Sequence, residues 1–173
     1  MYQPQKNLTK WLAGWKRKPE LAWVVKLTRQ LPHARVYLVG GMVRDLALGR
    51  PSQDFDFVVA GVPQPQLERA LRGIGAVDFV GKKFGVYKLR PKGVKPTEPI
   101  DVALPRTENA GGSGAYRDVT VQSDHRLPIQ ADLSRRDFTI NAMALPLPAT
   151  SSKLQARVVD PYGGLADLAA RKI

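Results

Sequence analysis

Apolar positions recur at helical spacing through the first 35 residues of the chain. Leu8, Leu12 and Trp15 share one helix face. Past a break at Pro19, Leu21, Val24, Val25, Leu27 and Leu31 share another, and Pro32 ends that second helix. The pattern then shortens. "ARVYLVGG" reads as a buried strand running into a glycine turn, and "MVRDLALG" as a short helix with Gly49 at its carboxyl end. "SQDFDFVVAG" is the next strand. "PQPQLERALRGIG" follows as a helix opened by Pro63 and Pro65 and closed by Gly73 and Gly75. "VDFVGKKFGVYKLRP" suggests two strands around a tight turn, and "EPIDVALPR" one more.

The remainder is less regular. "TENAGGSGAYRDVTVQSDHRLPIQ" is polar, glycine-containing and long for a connection, which reads as a mobile loop beside a site. "DLSRRDFTINAMALPL" predicts a short helix passing into a strand, "PATSSKLQ" a turn, "ARVVDPYGG" a returning strand, and "LADLAARKI" a helix that the chain end cuts off. No internal repeat or low-complexity tract is present.

Two strands carry charge where a buried strand gains by excluding it. Alternation puts Asp54 and Asp56 on one face of their strand, about 6 to 7 Å apart, with Phe55 and Phe57 turned into the core. Carboxylates so spaced suit Mg²⁺, which takes one or two of them together with substrate phosphates; the alternative is a solvated strand face. Asp101 sits among Ile100, Val102 and Leu104 in the same way. If its strand lies beside the first, three carboxylates converge as two-metal phosphoryl transfer requires; otherwise Asp101 pairs with an arginine. Gly40 and Gly41, between a strand and a helix, leave backbone N–H groups open to a phosphate, and Arg44 lies one helical turn on. Neither a Walker A loop nor a GxGxxG fingerprint is present.

In "SRRDFTINAMA", Asp137 and Asn141 fall at i, i+4 on one predicted helix face beside Arg135 and Arg136. A guanidinium grips a triphosphate, and a carboxylate with an amide can bond sugar hydroxyls. The structural alternative has Ser134 capping that helix with Asp137 completing a capping box. His33 and His125 lie in predicted loops without ligand-spaced partners, and Trp11, Trp15 and Trp23 read as packing residues.

Composition narrows the partners. The 173 residues hold 27 Lys and Arg against 15 Asp and Glu, a net charge of +12, which points to a polyanion. No apolar run approaches a membrane span, the amino terminus is too polar for a signal peptide, and there is no cysteine. A cytoplasmic location and a single domain are the expectations.

Four segments in order, "LVGGMVRDLALGRPSQDFDFVV", "IDVALPRTE", "RRDFTINAMA" and "VVDPYGGLADL", resemble the bacterial-type (class II) tRNA nucleotidyltransferase and poly(A) polymerase family, over about Val36 to Leu168. The resemblance implies an α+β, polymerase-β-like nucleotidyltransferase head, a small mixed sheet flanked by helices. It implies transfer of AMP or CMP from ATP or CTP to the 3′-hydroxyl of RNA, with tRNA 3′-end addition foremost and polyadenylation or a non-catalytic RNA-binding module as alternatives. By matching position, Asp54 and Asp56 would hold two Mg²⁺ ions and Asp101 would support them as the third catalytic carboxylate. Gly40, Gly41, Arg44, Arg136, Asp137 and Asn141 would bind the nucleotide, with Arg136, Asp137 and Asn141 selecting ribose over deoxyribose, and a mobile loop would span Thr107 to Leu133. The expected organisation is an N-terminal helical segment over 1–35, the head over 36–164 and the first residues of a neck helix over 165–173, with the base-reading neck motif outside the chain.

Overall fold

In the computed structural model the described residues are 3–172, apart from 53, 81–84, 95–98, 111–118 and 148–156. The two N-terminal helices form where the periodicity put them, as α1 (Pro4–Gly14) and α2 (Ala22–Gln30), joined through short 3₁₀ turns at Trp15–Arg17 and Pro19–Leu21. Pro4 stands in the first turn of α1, where its missing N–H has no partner to lose. Leu8 and Leu12, one turn apart, carry the buried face of that helix, and Trp23, Val24 and Leu27 carry that of α2.

Strand β1 (Arg35–Val39) turns at Gly40 into α3 (Gly41–Leu48), which Gly49 closes in the left-handed region at φ +70°. Then come β2 (Asp56–Ala60), α4 (Gln64–Ile74), β3 (Gly75–Val80), β4 (Val86–Pro91) and β5 (Ile100–Ala103). The chain continues as β6 (Arg106–Ala110), β7 (Val119–Ser123), α5 (Ile129–Leu133), a 3₁₀ turn at Thr139–Asn141, β8 (Ala144–Leu147) and α6 (Gly164–Ala170). Six strands form one mixed sheet in the order β3-β4-β5-β2-β1-β8, in which only β2 and β5 run parallel.

Both faces of the central strands are covered, and alternation decides what covers them. Val36, Leu38, Phe57, Val59, Tyr87, Leu89 and Val102 point into the main core, shared with α2, α4 and all three tryptophans. Trp15 and Trp23 are each 1% exposed, and Trp23 meets Phe57 edge-on at 4.9 Å, which bears out packing roles for these two. Residues one step out of phase, Val39 and Val58, join Ile129, Leu133, Ala142 and Ala144 in a smaller cluster on the opposite face. That second face carries the site.

Four expectations change. Strand β2 starts at Asp56, so Asp54 precedes it and is exposed, while Phe55 is half-buried and stacks on Phe57 at 6.2 Å and 9°. The presumed loop from Thr107 to Leu133 carries, among its described residues, most of the antiparallel pair β6 with β7 and then the short helix α5. No helix runs through 134–141. Ser134 is the C-cap of α5, its hydroxyl donating to the Ala131 carbonyl at 2.9 Å, and Phe138 is extended at φ −125°, so Ser134 is not an N-cap and Asp137 completes no capping box. "ARVVDPYGG" contributes one bridge, Val159 to Ala144, in place of a strand. The predicted turn "PATSSKLQ" falls outside the described residues. Helix α6 is held at its start by Asp160, whose carboxylate accepts the N–H groups of Gly164 and Leu165 at 2.7 and 2.9 Å, and it closes at Arg171 in the left-handed region.

Candidate active site

Strand register builds the first half of the site. Asp56 lies directly opposite Asp101 across the parallel β2–β5 pair, and Asp101 lies opposite Lys88 across β4–β5. All three point away from the main core, because Phe57, Val102, Tyr87 and Leu89 fill the other phase of the alternation. The Lys88 ammonium lies 2.7 Å from one Asp101 carboxylate oxygen and donates to the other at 2.9 Å. That hydrogen bond is the main reason the Lys88 pKa is raised. The alternative for Asp101, pairing with a cation, therefore holds with lysine in place of arginine.

Asp56 has no such partner. Its side chain accepts no hydrogen bond from a described residue, and burial, then the charges of Asp54 and Asp101, push its carboxyl up to about 6 against the opposing pull of Arg136 and Lys88. A hard, desolvated carboxylate short of positive charge fits a divalent cation such as Mg²⁺. Among the described residues no group of three acidic or histidine side chains is arranged to cage a metal by itself. The convergence of Asp54, Asp56 and Asp101 is electrostatic and falls short of a closed ligand shell.

The second half comes from the segment after α5. Asp132, 1% exposed, accepts hydrogen bonds from Arg135 at 3.2 and 3.3 Å and from Arg136 at 3.2 Å, and from the Arg106 backbone N–H at 3.3 Å. Arg135 also donates to Glu108 at 2.8 Å, which ties the hairpin to this cluster. Burial and the neighbouring Arg135 depress the Arg106 pKa. A cavity of about 520 Å³ opens between the two halves, walled chiefly by Asp56, Asp101, Arg106, Arg135, Arg136 and Asp137.

The glycine turn closes one side. Gly40 takes φ +71°, ψ −143°, a conformation that disfavours any side chain. A β-carbon built there would lie 2.8 Å from an Arg136 guanidinium nitrogen and 3.8 Å from an Asp56 carboxylate oxygen. The turn therefore packs against both halves of the site. Arg44 donates to Asn141 at 2.8 Å and to Asp45 at 2.9 Å, which fixes its guanidinium beside the glycine turn. Asn141 and Asp137 do not share a helix face, and Asn141 instead anchors Arg44 from 97 residues away.

Of the residues singled out in the sequence, Asp56, Asp101, Arg136 and Asp137 line one cavity, Gly40 abuts it, Asp54 lies in the exposed approach to it, and Gly41, Arg44 and Asn141 form a group at the turn next to Gly40. Lys88, Arg106 and Asp132 were missed. The i, i+3, i+4 spacing of Asp132 to Arg135 and Arg136 is a signal that was there to read. Lys88 gave none, since only the strand register reveals its partner.

Comparison with known proteins fits this geometry. Residues 36–173 match the Poly A polymerase head domain. This chain belongs to that family. It is 41% identical over 139 residues to the Multifunctional CCA protein of Xanthomonas campestris pv. campestris, covering 79% of this chain and 29% of that one. Among solved structures, the Thermotoga maritima CCA-adding enzyme complexed with tRNA_CCA superposes with a TM-score of 0.62 at 32% identity, over 94% of this chain and 34% of the other. The Bacillus stearothermophilus CCA-adding enzyme in complex with CTP gives 0.62 at 28% identity, over 89% and 33%. The head-domain fold expected from the sequence is confirmed. The chain spans less than a third of the length of the curated relatives it matches, at 29%.

Proposed function

We propose that the chain is the nucleotidyltransferase head of a template-independent RNA-extending enzyme, moving AMP or CMP from a nucleoside triphosphate to the 3′-hydroxyl of RNA, with the tRNA 3′ end as acceptor. The observation that carries the reading is the juxtaposition of Asp56 and Asp101 on neighbouring strands with Arg135 and Arg136 across one cavity. In this reading residues 36–164 are the catalytic head, 1–35 a helical segment packed on it, and 165–173 the first residues of a neck.

Asp54 and Asp56 would hold Mg²⁺, which when bound supplies Lewis-acid activation of the attacking hydroxyl and neutralises the departing pyrophosphate. Asp101, held in place by Lys88, supports Asp56 from the adjacent strand. Arg136 and its neighbour Arg135, aimed by Asp132, bind the triphosphate with planar guanidinium donors. The N–H groups that follow Gly40 face the same anion at the start of α3. Asp137, exposed at the cavity rim, accepts from ribose hydroxyls. Asn141 acts through Arg44 and is a positioning residue. The new bond joins the RNA 3′ oxygen to the α-phosphorus while the α–β bridge breaks, with no covalent enzyme intermediate.

The test is incubation with Mg²⁺, labelled CTP or ATP and tRNA lacking its 3′ end, using the protein alone and mixed with the part of a relative that follows its matched region. Incorporation that Asp56→Asn abolishes is expected. Its absence in both mixtures overturns the reading, and incorporation of ATP alone in long tracts would replace tRNA completion by polyadenylation.

A further inference from the structure

A second cavity, of about 1150 Å³, lies outside the site just described. Its walls are α1, the turn after it, the carboxyl end of α3 and the segment leading to β2. The α1 wall is fixed. Leu8 and Leu12 are buried in the main core, and the Asn7 side-chain amide donates to the Ala47 carbonyl at 2.9 Å.

The lining combines charge and rings. Lys10, Arg17, Lys18 and Arg50 face one acid, Glu20, which sits 3.9 Å from Lys18. Lys10, Arg17 and Arg50 are exposed and form no ion pair with a described residue. The surplus of cations is therefore open to an external anion. Trp11 and Phe55 supply the apolar surface. Unlike Trp15 and Trp23, Trp11 is only half-buried and has a face on the cavity. Phe55 immediately follows Asp54, so the cleft opens at the edge where the carboxylates begin.

Cations spread along a groove beside a partly exposed indole are the combination that holds single-stranded nucleic acid, bases on the ring and phosphates on the cations. We propose that this cleft binds a single-stranded stretch of acceptor RNA, with a base stacked on Trp11 and phosphates on Arg17 and Arg50. The proposal rests on the reading of RNA as acceptor. It assigns to the N-terminal segment a role that the carboxylate and arginine site does not supply.

The experiment uses the full chain and a 5′-labelled six-nucleotide oligocytidylate, followed by anisotropy and by tryptophan fluorescence. RNA binding is expected to quench tryptophan emission in the wild type and not in Trp11→Phe, because the other two indoles are buried. The double variant Arg17→Glu/Arg50→Glu should bind about ten-fold or more weakly and lose about 1.4 from the slope of log affinity against log salt, the share of two phosphates on a single strand. ATP binding by that variant should be unchanged, which reports an intact fold and a separate nucleotide site. Wild-type affinity and salt slope in the double variant, or quenching that persists in Trp11→Phe, overturns the proposal and leaves the cleft to a polypeptide. Failure of the transfer reading looks different: the wild type binds the oligonucleotide and incorporates nothing.

Discussion

Two aspartates wall the same cavity and are treated in opposite ways. Asp132 is buried and supplied with two guanidinium groups and a backbone N–H. Asp56 is desolvated, repelled by Asp54 and Asp101, and accepts no hydrogen bond from a described residue. A carboxylate saturated by protein donors has no capacity left for a ligand, and its use is to fix those donors in space. A carboxylate left unpaired in a low-dielectric wall is destabilised until a proton or a cation neutralises it. Asp132 thus fixes two arginines in the cavity wall, and Asp56 stands beside them short of positive charge.

If that contrast is right, removing each carboxylate moves stability in opposite directions. Asp132→Ala leaves half-buried Arg136 without its carboxylate and Arg135 with Glu108 alone, and should destabilise the protein by about 3 kcal/mol, read as the midpoint of urea unfolding. A change near zero would mean that the arginines find solvent on their own and that Asp132 does not hold them.

Asp56→Asn should abolish nucleotide incorporation and, in the absence of divalent metal, stabilise the fold by about 2 kcal/mol at pH 7. The sign follows from a carboxyl pKa raised to about 6 from its ordinary value of 3.8. Between those values the native state binds more protons than the unfolded chain, so this residue's contribution falls as pH rises through the interval. The gap between variant and wild type should therefore open from about pH 4 to about pH 6 and stay open above. Mg²⁺ should narrow it by binding the wild type alone. Unfolding at a series of pH values measures this, and an Asn variant less stable than wild type at pH 7 would sink it.

Gly40→Ala tests the turn that touches both halves. The left-handed backbone alone costs about 1 to 2 kcal/mol for a residue with a β-carbon, and the methyl presses on Arg136 in addition. Activity should fall further than that stability loss explains, because the guanidinium moves. A variant with ordinary nucleotide affinity would show that Arg136 tolerates displacement.

How much of this was legible in the sequence differs between the same two aspartates. The strand face of Asp56 could be read from alternation, because Phe57 and Val59 had to be buried, and the pairing with Asp101 needed only one assumption about neighbours. The surroundings of Asp132 could not be read that way. A helix pattern over 134–141 looked continuous, yet Ser134 turns its hydroxyl back to end α5, the Arg136 guanidinium donates to Asp132, and the Asn141 amide oxygen accepts from Arg44. The β6–β7 pair escaped for a related reason: it is a two-stranded sheet apart from the main one, β6 carries no apolar alternation, and in β7 only Val119 and Val121 do, too short a run to stand out. Tertiary hydrogen bonds overrode local spacing wherever the site, and not the core, set the conformation.

Lys88 gives the finest test, since it is the cation that could have gone to Asp56 and went to Asp101. Both partners are about one-third exposed, at 35% and 31%, so the pair is screened and its loss in Lys88→Met should cost under about 1 kcal/mol. The effect on Asp56 should nonetheless be visible, because Lys88 is one of the two cations that lower its pKa. Without that charge the Asp56 carboxyl should titrate higher still, and the stabilisation gained from Asp56→Asn at pH 7 should be larger in the Lys88→Met background than in the wild type. A double-mutant cycle of unfolding free energies isolates that coupling. Zero coupling would mean that Lys88 serves Asp101 alone and that the two carboxylates, though opposite each other in the register, do not share a field.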